Sequence, residues 1–214
     1  MRSKFDEQLE LLNKELILMG SLCENAISLS VRALFDCDAK AAEKVPELSS
    51  QVDRKEREIE GMCIRLLLQQ QPVAKDLSSV SAALKMVTDM KRIGDQSADI
   101  AEIIAESNIS ALGDTLYVHD MAAAVIKMVT DSIDAFVKKD LAIANSIIAY
   151  DDTVDGCFYK IKENIIDRLS AGKSDGEYAL DLLMIAKYLE RIGDHAVNIA
   201  RWVSFSITGN IESV

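Results

Sequence analysis

The segment Lys91–Ala101, KRIGDQSADIA, returns at Glu190–Ala200 as ERIGDHAVNIA, displaced by 99 residues (194 − 95). A period this long is not a solenoid unit. It marks a duplicated sub-domain, and duplication on this scale governs the fold assignment. Upstream the displacement is 102: Met19-Gly20 matches Met121-Ala122, Asp38 matches Asp140, and Val52-Asp53 matches Val154-Asp155. It falls to 99 only after Gln71-Pro72, where the second copy uses the connection Ser170–Glu177. Loops absorb length changes at low cost, so a change confined to one is what a true repeat produces.

The repeated unit is helical. Pro numbers 2, Gly 9 and aromatics 5%, while 49% of the 214 residues are hydrophobic. Few breakers and abundant Ala, Leu, Ile, Lys and Glu indicate an all-α protein with a sizeable core. Apolar residues at three- and four-residue steps predict six long helices, near Phe5–Phe35, Asp38–Gln70, Asp76–Ser107, Leu116–Lys139, Asp140–Ser170 and Glu177–Phe205. Pro46 lacks an N–H, so it is expected to kink or start the second. Asp38 is its expected N-cap. Gly113-Asp114 supplies turn chemistry between the halves. Short loops make neighbouring helices antiparallel. The expected fold is two tandem, pseudo-symmetric three-helix bundles, residues 1–108 and 109–214.

The net charge of −11 (24 − 35) excludes the basic stripe that phosphate backbones require, so no nucleic-acid partner is expected. Asp6, Glu7 and Glu10 argue against a signal peptide. No run approaches 18 uninterrupted apolar residues, so direct membrane insertion is not expected. Cys23, Cys37, Cys63 and Cys157 show no CxxC spacing, and Cys23 and Cys63 fall on apolar helical positions. They are read as small buried hydrophobes in a reducing cytoplasm.

Charged groups recur at fixed places in these apolar helices. On the sixth helix Glu190, Asp194 and Asn198 stand at i, i+4 and i+8, along one line of the surface. On the fifth, Asp151 and Asp155 are also four apart. If the two helices lie side by side, four carboxylates converge, and they repel unless a hard cation with oxygen ligands joins them. The bland reading is a solvated acidic face, which helices carry commonly. In the first half only Asp53 and Asp95 match; Ser49 replaces Asp151 and Lys91 replaces Glu190. Lys91 is placed to pair with Asp95, putting an ammonium where a metal would sit. Gly94 and Gly193 imply close approach by a neighbour. Arg92 and Arg191 are read as clamps on carboxylates of other helices. Adjacent helical residues point about 100° apart, so His195 is not expected to converge with Asp194. His119 is read as a surface residue. There is no ExxH pair, P-loop, GxSxG or dinucleotide fingerprint.

The two (E/K)RIGDxxxxIA copies, the Val-Asp pair in each half, Met19-Gly20, the QQQPVAKDL junction at Gln69–Leu77 and the tail Trp202–Gly209 resemble the PhoU family over essentially the whole chain. The resemblance implies a non-enzymatic, cytoplasmic negative regulator of phosphate uptake and of the phosphate-starvation response. Such a protein links the ATPase subunit of a phosphate ABC transporter to a sensor histidine kinase, and homodimers are common. It also implies metal binding through E/DxxxD pairs: Asp151, Asp155, Glu190 and Asp194 here, with Asp53 and Asp95 as a weakened counterpart. The cation implied is Mg, Mn, Ca, Fe or Zn. The competing readings are a metal-dependent all-α nucleotide or phosphate hydrolase, and a metal-binding structural bundle.

Overall fold

The computed structural model describes residues 2–36, 38–69, 74–106, 116–173 and 175–210. Their helices are α1 (Arg2–Asp36), α2 (Ala39–Ala42), α3 (Val45–Gln69), α4 (Ala74–Glu106), α5 (Leu116–Lys138), α6 (Leu141–Ser170) and α7 (Gly176–Thr208), with no strand among the described residues. The six long helices are those expected. The second differs: its first turn separates as α2, and α3 begins at Val45-Pro46. Proline's missing N–H costs nothing in a first helical turn, where that group has no partner in any case.

The caps repeat with the duplication. Asp38 Oδ1 accepts from Ala41 N at 3.2 Å. Its counterpart Asp140 accepts from Ala142 N at 2.9 Å and Ile143 N at 3.1 Å. Each supplies an oxygen to N–H groups that a helix start leaves unpaired. α7 ends on Gly209, whose φ of 71° places it in the left-handed region while its N–H bonds Phe205 O. The Gln71-Pro72 stop, the Gly113-Asp114 turn, Cys37 and the 108/109 boundary lie outside the described residues.

α1, α3 and α4 pack on one another, as do α5, α6 and α7, giving two three-helix bundles. The halves meet through α4 against α7, the most extensive helix pair, and through α1 against α5. Both are pairs of equivalent helices, as an internal two-fold requires. Along α1 and α5, Gly20 meets Ile133 and Glu24 meets Thr130, an antiparallel register. At the α4/α7 crossing Gln96 meets His195, residues that correspond at offset 99. Equivalent residues touch only on the axis itself.

One core runs through both halves, with Leu12, Leu16, Met19, Cys23 and Ile27 of α1 alongside Met86, Met90 and Ile93 of α4 and Ile192, Ala196 and Ile199 of α7. Each fully buried Leu, Ile or Met contributes roughly 1.5–3 kcal/mol. α1 (Phe5–Asp36) is, among the described residues, the helix with the length and mean hydropathy (1.2) to cross a membrane. Half of that apolar window is buried in the protein, where α1 packs against α3, α4 and α5, while Leu11, Ile17 and Leu18 are exposed. Cys23 and Cys63 are buried free thiols, as expected, and Cys157 is buried as well.

Candidate functional site

α6 and α7 lie side by side, so the acidic residues predicted to converge do face one another. Burial, followed by the charges of Asp155, Asp194, Asp152 and Glu190, pushes the Asp151 carboxyl up to about 6. Asp194 is also raised, by burial and then Glu190, with Lys187 opposing before Asp155 adds to the rise. Glu190 already has a cationic partner one turn back in Lys187, which also lies over the Phe158 ring at 5.5 Å. Asp151 Oδ1 comes within 3.6 Å of where a Cβ on Gly193 would be, beside Val154 Cγ1 at 3.4 Å. These are ordinary van der Waals distances, so the close approach expected at Gly193 does not itself require a glycine.

In donor type and charge, these four carboxylates fit a hard cation. Among the described residues, however, no three His, Cys, Asp or Glu side chains are gathered tightly enough to hold one as they stand. Like charges in a partly desolvated groove hold each other apart. In the first half the fit fails, for the reason read from the sequence. Lys91 Nζ lies 2.7 Å from Asp95 Oδ2 and 3.4 Å from Asp53 Oδ1. Hydrogen bonding to Asp95 raises the Lys91 pKa and keeps it cationic. An ammonium occupies the place between the two acids.

The remaining expectations divide. Gly94 meets Val52 (Cγ1 at 3.1 Å, Cβ at 3.2 Å), so the close approach is a packing contact and no ion is needed to explain it. Arg92 and Arg191 form no carboxylate clamp among the described residues. Both are exposed; Arg191 lies over Tyr188 and its charge reaches Asp99. Asn198 departs from the Glu190–Asp194 line and reaches α4, where its Nδ2 lies 3.4 Å from Asp89 Oδ1.

That last contact belongs to a network missed in the sequence. His195 Nδ1 lies 2.8 Å from Asp89 Oδ1, and its Nε2 lies 3.3 Å from Gln96 Nε2. With the Gln96 amide nitrogen toward the ring, His195 Nε2 accepts and Nδ1–H donates to Asp89, and Gln96 Oε1 is left buried without a hydrogen-bond partner. This polar cluster joins the two halves on their axis. The one available signal was the pairing of Gln96 with His195 at offset 99, which becomes a contact only once the axis is placed.

The fold and its twice-written carboxylate pattern define an internally duplicated helical-bundle protein whose halves share one core and differ in charge at their acidic faces. A family model for the PhoU domain matches residues 16–104 and again 118–203. The chain belongs to the PhoU family. The phosphate-specific transport system accessory protein PhoU homolog of Clostridium acetobutylicum is 36% identical over 210 residues, covering 97% of this chain and 96% of that one. The homolog of the same description in Pseudomonas aeruginosa is 33% identical over 209 residues, covering 96% and 86%. The crystal structure of PhoU from Pseudomonas aeruginosa matches with a TM-score of 0.89 at 32% identity, over 96% of this chain and 100% of that one. The phosphate transport system regulatory protein PhoU from Streptococcus pneumoniae gives 0.89 at 26%, over 97% and 98%.

Proposed function

We propose that this protein is an accessory regulator of a phosphate-specific transport system. It acts by binding other proteins, in the cytoplasm, as a brake on uptake and on the starvation response when phosphate is plentiful. Its partners are the ATPase subunit of the phosphate ABC transporter and a sensor histidine kinase, with a second copy of the chain completing a homodimer. The observation that carries this reading is end-to-end similarity, in both halves, to accessory proteins of that transport system. A regulator works through affinities that differ between states of its partner. A rigid two-bundle body with one core suits such docking.

The acidic face of α6 and α7 is the proposed cation site, with Asp151, Asp155, Glu190 and Asp194 as ligands. A bound cation would neutralise the face and fix its shape for docking. The hydrolase reading loses support from the side chains: Lys91 and Lys187, the lysines nearest the carboxylates, are committed to acidic neighbours, leaving Arg92 and Arg191 to hold a phosphate chain.

Deleting the gene in phosphate-rich medium should raise phosphate uptake and phosphatase expression. Unchanged levels in a strain without a second copy would refute the regulatory role. Metal content after chelator-free purification should drop in Asp155→Ala and Asp194→Ala relative to the unaltered chain; equal content in all three removes these ligands.

A further inference from the structure

The two-fold relating the halves should give every groove between α1 and α5 a twin. One groove, open to solvent and lined by Ser28 (the equivalent of Thr130), Val31, Arg32, Phe35, His119, Ala122, Ala123 and Ile126, offers about 360 Å³. Its twin position is lined by the residues 102 away: Ile133, Asp134, Val137, Ile17, Gly20, Ser21 and Glu24. There side chains bridge the two helices. Ile133 Cγ1 stands 3.0 Å from where a Cβ on Gly20 would be, and Thr130 Oγ1 bonds Glu24 Oε1 at 2.8 Å across the helices. The chemistry is also inverted. Where the open groove carries Arg32 and His119, the twin has Asp134 and Ile17, and Ile126 is answered by Glu24. The residues that line the open groove thus differ in kind from those at its twin.

From this asymmetry we infer that the open α1/α5 groove is a binding site for a small amphipathic anion, an apolar body bearing one carboxylate. Val31, Phe35, Ala122 and Ile126 supply the apolar wall, in a volume within the range of ordinary ligand pockets. Among the described residues Arg32 pairs with Asp36, at 3.8 Å in an exposed pair. Pairs of that kind are weak, so the guanidinium is free to turn its planar fork onto a carboxylate. His119 packs against Phe35 with centroids 5.5 Å apart and the rings tilted by 57°, at the rim of the groove. In either tautomer it presents an N–H donor. In a chain of net charge −11, a groove with a basic rim discriminates by sign. The site is independent of the acidic α6/α7 face.

The test is calorimetric titration of the full chain with octanoate, and with octylammonium and inorganic phosphate as probes of charge and of tail. Octanoate should bind at one site. Arg32→Gln should weaken it about tenfold, the ordinary weight of a charge-assisted hydrogen bond, and Ala123→Phe, at an exposed position, should fill the groove and abolish binding. Circular dichroism checks that both variants remain folded, and His119 ring resonances should shift with octanoate. Octylammonium binding as tightly, phosphate displacing octanoate, a flat octanoate titration, or full binding in both folded variants would each overturn the assignment.

Discussion

Replacing Asp151 by Asn should make the protein more stable at neutral pH, even though it removes a residue of the candidate site. The carboxyl is raised from 3.8 to about 6, first by burial and then by the charges of Asp155, Asp194, Asp152 and Glu190. A group held above its unfolded pKa binds its proton more tightly in the folded chain. Its stabilising contribution is therefore complete below about pH 4 and is lost as the pH climbs through about 6. At about 1.4 kcal/mol per pH unit the full displacement would correspond to roughly 3 kcal/mol. Partial solvation of the side chain screens this to about 1–2 kcal/mol. Asparagine keeps the shape and cannot ionise. Urea denaturation in chelator at pH 4, 5, 6 and 7 should show the unaltered chain losing about 1–2 kcal/mol that Asp151→Asn retains. If the variant is less stable at pH 7, Asp151 is held by attraction and the picture of converging repulsive carboxylates is wrong.

Saturating Mn²⁺ should reverse that order, raising the Tm of the unaltered chain but not that of Asp151→Asn, since a ligand bound only by the folded state stabilises it; equal thermal shifts would detach Asp151 from the cation site. Gly94→Ala should cost about 1–3 kcal/mol in urea denaturation, because its Cβ would press on the β-branched Val52 at 3.1–3.2 Å in the core. Gly193→Ala, with its nearest neighbour at 3.4 Å, should be near neutral or gain up to about 1 kcal/mol of helix propensity. Lys91→Met should lower stability by about 1 kcal/mol by leaving Asp53 and Asp95 unpaired, and a second charge-removing change, Asp95→Asn, should restore part of the loss. Cys63, whose thiol is pushed up to about 12 by burial and Glu60, should be alkylated in the native protein only at the rate of unfolding, read by mass spectrometry of the labelled peptide.

The helices, their order and the two-bundle architecture were legible in the sequence because the duplication supplied two readings of one pattern. Leu12, Leu16, Met19 and Cys23 announce their shared face by spacing alone. The ammonium of Lys91 between Asp53 and Asp95 was legible for the same reason: an exchange of Glu for Lys at matched positions 190 and 91 has a direct electrostatic meaning. The separation of α2 from α3 was half legible, since Pro46 marks a start as readily as a kink. What a single sequence withholds is the surface between the halves. Asp89, Gln96, His195 and Asn198 come from helices whose relative placement no periodicity encodes. Read along α7 alone, Asn198 belongs with Asp194; only the position of α4 turns it the other way.

The axis also explains why the halves have diverged where they have. On a two-fold, like meets like, so two copies of one half would set His against His or Gln against Gln. Amides and neutral imidazoles each carry a donor and an acceptor, so either like pair can still hydrogen-bond; what neither like pair provides is Asp89 opposite a histidine. The observed pairing sets a Gln96 donor against a His195 acceptor, and Asp89 then takes the proton on the far nitrogen. The position equivalent to Asp89 is Tyr188, so the network is one-sided and is completed only when a first half meets a second half. Polar groups that are satisfied in one pairing and stranded in another select between pairings. Asp89 therefore favours a first half meeting a second half, although Gln96 Oε1 stays buried without a partner in that pairing too. The acidic face of α6 and α7 is likewise made once per molecule, its first-half counterpart being closed by Lys91.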